Sequence, residues 1–162
     1  MLKDKIKSDF KEAFKAKEQV KLSVLKMVNS EIGNAEINKR AKLVKDGVNA
    51  EGIKTASALN DEEILQVILR EAKKRKDSIE AFENAGRQEL AEKEKEELVI
   101  LMTYMPEQLS EGAIRDIVKK AVEQSGAKGE KEIGKVMSIL APQVKGKADG
   151  VLVNKIVREL LG

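Results

Sequence analysis

Three residue types that carry much of enzyme chemistry are missing or scarce in this 162-residue chain. It has no cysteine and no histidine, and its aromatic side chains are one tyrosine and three phenylalanines. Without cysteine there are no disulfides, thiolate metal sites or thiol nucleophiles, and without histidine the commonest general base and transition-metal ligand is lost. We therefore predict no catalytic residues, no metal site and no cofactor.

Long apolar runs are also absent. No stretch of 18 apolar residues exists to cross a bilayer, and charges interrupt the start, MLKDKIKSDF, every two or three residues. These features predict a protein without a membrane partner and with a cytoplasmic location.

The residues that are present favour helices. Leu, Ile, Val, Ala and Met must build the core, because hydrophobic residues make up 41% of the chain and aromatic residues only 2%. The four-residue spacing of Leu2, Ile6, Phe10 and Phe14 predicts a first amphipathic helix with these side chains on its core side. A break near residues 17–19 leads to a second helix that runs to about residue 45, and residues 46–59 are predicted to be a loop.

A third helix is predicted from residue 60, because Asn60 and Glu63 have the spacing of a capping box. Arg75 falls on its apolar stripe, and Gly86 suits a left-handed C-terminal cap. A fourth helix then runs from Arg87 to about Thr103, with Leu90, Leu98 and Leu101 predicted to be buried.

Pro106 marks the predicted domain boundary, because proline cannot continue a helix. The fold class is therefore all-α, with an N-terminal helical bundle over residues 1–105 joined to a small three-helix domain over residues 106–162. In the second domain Ser110 is predicted to cap the first helix and Gly126 to end it. Pro142 is predicted to stop the second helix, and the third follows with Leu160 among the residues of its core side.

The stretch KGKADG, residues 145–150, raises the question of a phosphate-binding loop. A P-loop needs two glycines separated by four residues, the second followed by Lys and then Ser or Thr, after a buried strand, and KGKADG has neither the spacing nor the strand. Gly146 suits a turn with positive φ, Asp149 suits a helix cap, and Gly150 follows that cap. These three residues are therefore interpreted as a turn and cap.

The lysines of the same stretch have no such structural explanation. The chain carries a net charge of only +3, yet residues 134–162 hold five basic and two acidic side chains. Solvated surface charge remains the alternative, but the basic residues are candidates for contacts with RNA phosphates. They are Lys135, Lys145, Lys147, Lys155 and Arg158.

Three segments resemble the GatB/YqeY family, most closely its stand-alone YqeY-like proteins. They are KRKDSIEAFENAGRQELAEKEKEE (74–97), YMPEQLS (104–110) and GKVMSILAPQVKGKADGVLVNKIVRELL (134–161), in the family's order and spacing. Positions that match the C-terminal signature are Gly134, Lys135, Lys145, Gly146, Ala148, Asp149, Gly150 and Asn154.

The resemblance implies an all-helical, two-domain protein related to the C-terminal tail of the B subunit of the tRNA-dependent amidotransferase. That tail contacts tRNA, whereas the chemistry lies in other domains, which this chain lacks. We therefore expect a non-catalytic module that binds tRNA or another structured RNA. Two alternatives stay open: an adaptor that docks a tRNA-dependent enzyme, and an accessory to a carbon–nitrogen ligase with glutamine as amido donor.

Overall fold

The computed structural model describes the backbone of residues 1–162 and all side chains except those of residues 50 and 51. Helices and connecting turns, with no strand, make up this described backbone. The all-α prediction is therefore confirmed.

The chain forms two compact units, Met1–Tyr104 and Met105–Gly162. This division falls one residue before the predicted boundary between residues 105 and 106. That the two units are independent domains stays a prediction.

Five helices form the first unit: α1 Leu2–Ala16, α2 Gln19–Lys45, α3 Ala50–Ala56, α4 Asp61–Asn84 and α5 Gln88–Met102. Their core is aliphatic, and its largest fully buried side chains are Ile6, Leu25, Ile64, Ile68 and Leu101. Lys17 takes a left-handed conformation between α1 and α2, with φ 57°, at the predicted break. Asn60 and Glu63 form the predicted capping box at the start of α4.

Three expectations for the first unit are wrong. Phe14 is 67% exposed, and its neighbour Ala13 is the completely buried residue at that end of α1. Leu90 is 41% exposed, and its neighbour Ala91 is the buried residue instead. Residues 46–59 contain α3, whose first turn is stabilised by a hydrogen bond from the Gly52 N–H to the Asn49 side chain at 3.1 Å.

Three α-helices and one short 3₁₀ turn form the second unit: α6 Glu111–Ser125, the turn Glu130–Glu132, α7 Ile133–Val144 and α8 Gly150–Leu161. Ser110 caps α6 by accepting from the Ala113 N–H at 3.2 Å, and Gly126 ends it with φ 63°, both as predicted. The helices pack around a separate aliphatic core: Ile114, Val118, Ala121, Val136, Leu140, Val144, Val153, Ile156 and Val157.

Pro142 does not stop α7, which continues to Val144. The next backbone N–H groups still find carbonyls, since Lys145 donates to Ala141 at 3.1 Å. Because Pro142 lies two residues before the last residue of α7, it removes one backbone N–H donor and leaves the last turn intact. Leu160, predicted on the core side of α8, is 42% exposed.

Candidate nucleic-acid interface

The turn between α7 and α8 positions two of the five candidate basic residues. Gly146 is buried and has φ 76°, a left-handed conformation that glycine adopts without strain. The N–H groups of Lys147 and Ala148 both donate to the Val144 carbonyl, at 2.9 and 3.1 Å. The backbone of the turn therefore points inward, while the side chains of Lys145 and Lys147 are exposed.

The segment before α6 braces this turn. Leu109 donates its N–H to the Lys147 carbonyl at 2.7 Å, and the Gln108 amide donates to the Gly146 carbonyl at 2.8 Å. The same amide also donates to the Pro106 carbonyl at 2.8 Å. Sequence patterns did not point to Gln108, because its partner in the turn lies 38 residues further along the chain.

Asp149 occupies the N-terminus of α8. Its carboxylate accepts from the Val151 N–H at 2.8 Å, and helix N-termini favour negative charge at this position. Gly150 is the first residue of the helix. Because the protein's own carboxylate already sits where an anion would bind, the turn does not have the open donor ring of a nucleotide loop.

Lys135 and Arg158 lie next to the 3₁₀ turn that precedes α7. Lys135 donates to Glu132, and a guanidinium nitrogen of Arg158 lies 3.8 Å from a Glu130 carboxylate oxygen. The Lys135 bond, together with the Lys128 N–H, lowers the pKa of the Glu132 carboxyl. Local spacing could not identify Glu130, because the fold brings the C-terminal half of α8 to the start of α7. Glu132 lies three residues before Lys135, and this i,i+3 spacing is a signal that could have identified it.

The five candidates therefore do not form one patch. Lys145 and Lys147 lie at the turn between α7 and α8, whereas Lys135 and Arg158 lie at the opposite end of this helical hairpin. Lys135 and Lys145, the C-cap of α7, are ten residues apart, which corresponds to about 15 Å at the helical rise of about 1.5 Å per residue. Lys155 lies between them on α8.

The candidates also differ in their partners. Arg158 donates to Asn154 at 2.9 Å and is close to Glu130, and Lys135 is paired with Glu132. Among the side chains that the structure describes, Lys147 and Lys155 are exposed and have no ion pair or hydrogen bond. These two lysines are the ones that an external phosphate can reach without displacing a carboxylate.

Among the side chains that the structure describes, no group of three or more acidic residues is arranged to hold a metal ion. No helix within the same part of the chain has the length and apolar character that a bilayer crossing requires.

Two comparisons with known proteins yield matches. A family model described as "Yqey-like protein" matches residues 3–50 and 41–161. "Altered inheritance of mitochondria protein 41, mitochondrial" from Pyrenophora tritici-repentis is 32% identical over 161 residues, which is 98% of this chain and 80% of that protein. The protein of the same name from Candida glabrata is 30% identical over 118 residues, 73% of this chain and 57% of that protein.

The names of these relatives contradict the predicted cytoplasmic location, since both are named as mitochondrial proteins. That prediction is therefore wrong. It rested on the lack of an apolar run near the start of the sequence, and such a lack says nothing about which compartment inside a cell holds a folded helical protein.

Proposed function

Because the chain belongs to the YqeY-like protein family, we propose that it is a non-catalytic RNA-binding module, with tRNA as its ligand. The second unit supplies the contacts, and Lys147 and Lys155 make the first of them. The observation that carries the proposal is that both lysines are exposed and unpaired among the described side chains.

Lys135 and Arg158 contact the RNA as well, because a phosphate replaces the carboxylate with which each is paired. The side chains of the Lys135–Glu132 pair are 63% and 36% exposed, and those of the Arg158–Glu130 pair are 58% and 57% exposed. Exposed ion pairs of this kind contribute only about 0–1 kcal/mol, so a phosphate can replace the carboxylate at small cost. Lys145, exposed on the braced turn, completes the set.

The mode of recognition follows from the spacing and from the scarcity of aromatic residues. Basic side chains at both ends of the α7–α8 hairpin suit phosphates on a folded RNA, whereas base stacking needs aromatic faces. The only tyrosine, Tyr104, is 6% exposed and lies in the first unit. Binding is therefore expected to depend on RNA shape and on salt rather than on base sequence.

The test is a fluorescence-anisotropy titration of labelled tRNA at 50 and at 200 mM salt. The variant K147A/K155A should bind at least tenfold more weakly at the lower salt, with a shallower salt dependence, because each lost phosphate contact reduces the slope of log K against log salt by about 0.7 to 0.9. The matched control is K119A/K120A, which removes two exposed lysines from α6 of the same unit.

The control should bind within twofold of the unchanged protein. Absence of binding at the lower salt would reject the proposal. Equal loss in both double variants would reject the assignment to this surface, because it would show that only the overall charge matters.

A further inference from the structure

A cleft of about 770 Å³ lies between α2 and α4 in the first unit. Its walls are one face of each helix, with lining positions spaced by three and four residues over 31–42 of α2 and 63–74 of α4. A volume of this size falls within the range of small-molecule sites and is much larger than a single water or ion requires.

Short side chains keep the cleft open. Asn34, Ala35 and Asn38 line the α2 wall, in place of the larger aliphatic residues that α2 places in the core at Leu25 and Ile32. Polar side chains on both walls distinguish this cleft from a packing defect of the aliphatic core.

Two ion pairs account for most of the negative charge in the cleft. Lys39 donates to Glu63 at 2.8 Å, and Lys74 donates to Glu71 at 2.6 Å, although Glu71 is only 5% exposed. The hydrogen bond to Glu71 raises the pKa of Lys74, with a smaller contribution from the third lining carboxylate, Glu31. Lys39 and Lys74 therefore engage two of the three carboxylates, and the lining as a whole carries four basic side chains against these three.

Three donors remain uncommitted. The amide nitrogen of Gln66 is buried and has no hydrogen-bond acceptor among the described protein atoms. Arg70 and Lys42 line the same cleft, and in the described part of the chain neither has an ion pair or side-chain hydrogen bond. A buried donor without an acceptor costs about 1 to 3 kcal/mol, which an acceptor atom supplied by a ligand would recover.

We propose that this cleft binds a small organic anion, a carboxylate or a phosphate ester. The ligand would accept a hydrogen bond from the Gln66 amide and pair with the guanidinium of Arg70, whose planar donors match either anion. Lys42, in the last turn of α2, adds a second positive charge to the lining. This site lies in the first unit and does not depend on the RNA-binding proposal for the second.

The test uses the full chain labelled with ¹⁵N, titrated to millimolar concentration with citrate in one arm and adenosine 5′-monophosphate in the other. Inorganic phosphate serves as a reference for non-specific anion effects. Binding should shift the side-chain amide signals of Gln66 and the backbone signals of residues 63–74. A response to citrate alone identifies a carboxylate site, and a response to the nucleotide alone identifies a phosphate-ester site.

Two matched variants distinguish the site from general charge attraction. R70Q should weaken binding of the responding probe at least tenfold, whereas R40Q, which removes an exposed arginine on α2 outside the lining, should change it less than twofold. Arg70 is exposed, so R70Q should fold normally. Failure of both probes to shift the Gln66 amide, or equal weakening by R70Q and R40Q, would overturn the proposal.

Discussion

Tyr104 links the end of the first unit to α1. Its hydroxyl donates to the Asp9 carboxylate at 2.6 Å, and the ammonium of Lys5 lies 5.4 Å from the centre of its ring. Burial, followed by the hydrogen bond to Asp9, raises the pKa of Tyr104 well above the usual value near 10. The neutral hydroxyl is therefore part of the folded structure.

A direct titration of this residue is possible because Tyr104 is the only tyrosine and the chain has no tryptophan. We expect the folded protein to show almost no tyrosinate absorbance at 295 nm at pH 10.5, whereas the protein in urea should ionise near pH 10. Folded and unfolded samples that titrate together would contradict the raised pKa.

The same shift sets the sign of the pH dependence of stability. Above pH 10 the unfolded chain loses the tyrosine proton and the folded chain keeps it, so the free energy of unfolding falls as pH rises. The variant Y104F should be less stable near neutral pH by about 1 to 2 kcal/mol, because it loses a hydrogen bond to a charged group. Without the tyrosine hydroxyl, the free energy of unfolding of Y104F should also fall less between pH 8 and pH 10.5 than that of the unchanged protein. Urea unfolding at the two pH values measures this difference.

At the scale of helices, Arg75 holds α4 to α5. One guanidinium nitrogen lies 2.6 Å from Glu97 and another lies 3.9 Å from Glu94. The side chains of Arg75 and Glu97 are only 15% and 13% exposed. Arg75 therefore lies on the apolar stripe of α4, as predicted, because it forms an ion pair with α5 there.

Replacing one partner of the Arg75–Glu97 pair should lower the free energy of unfolding more than replacing both partners. R75A is expected to lower the free energy of unfolding by about 2 to 4 kcal/mol, because it leaves Glu97 nearly buried without a counter-charge. The free energy of unfolding should fall less in R75M/E97L than in R75A, since apolar groups replace both charges of the pair. Urea unfolding measures both, with the exposed α4 position K73A as a control that should change stability by less than about 0.5 kcal/mol.

Local sequence signals predicted helix ends better than they predicted burial. Asn60, Ser110 and Gly126 act within one helical turn, so the spacing of a few residues was enough to identify them. Phe14 and Leu90 were misassigned because the adjacent residues, Ala13 and Ala91, face the core instead. Periodicity shows which residues share a face and leaves open which face a neighbouring helix covers. The cleft donor Gln66 could not be found this way, since its environment is made by α2.

For the candidate interface, sequence identified the exposed lysines and the turn that carries them. It could not show that Glu130 engages Arg158, because this contact depends on how α7 and α8 fold back on each other. The Lys135–Glu132 pair has i,i+3 spacing and could have been identified from the sequence. The split of the basic residues into two groups is a property of this hairpin. Local spacing does not distinguish the unpaired Lys147 and Lys155 from Arg158, whose carboxylate partner is supplied by the tertiary fold.

At the scale of the whole molecule, each unit has a core of its own. The second unit buries Val118, Leu140 and Ile156 completely, and the first buries Ile64 and Ile68 completely. A unit of about 60 residues can fold alone with a stability of roughly 3 to 9 kcal/mol. We therefore predict that the two units unfold independently.

Paired core variants test this independence in the full chain. L140A should destabilise the second unit by about 2 to 5 kcal/mol, because it opens a cavity among fully buried side chains. A loss of that size is comparable with the whole stability of the unit, so in mild urea the ¹H–¹⁵N signals of residues 105–162 should collapse first while those of residues 1–104 keep their dispersion.

I68A, the corresponding variant in the core of α4, should reverse this pattern and unfold residues 1–104 first. If the RNA contacts lie in the second unit, L140A should abolish tRNA binding in urea concentrations at which I68A still binds. Loss of both sets of signals at one urea concentration in both variants would show a single cooperative unit. Retention of tRNA binding by L140A after its second unit has unfolded would move the RNA contacts to the first unit.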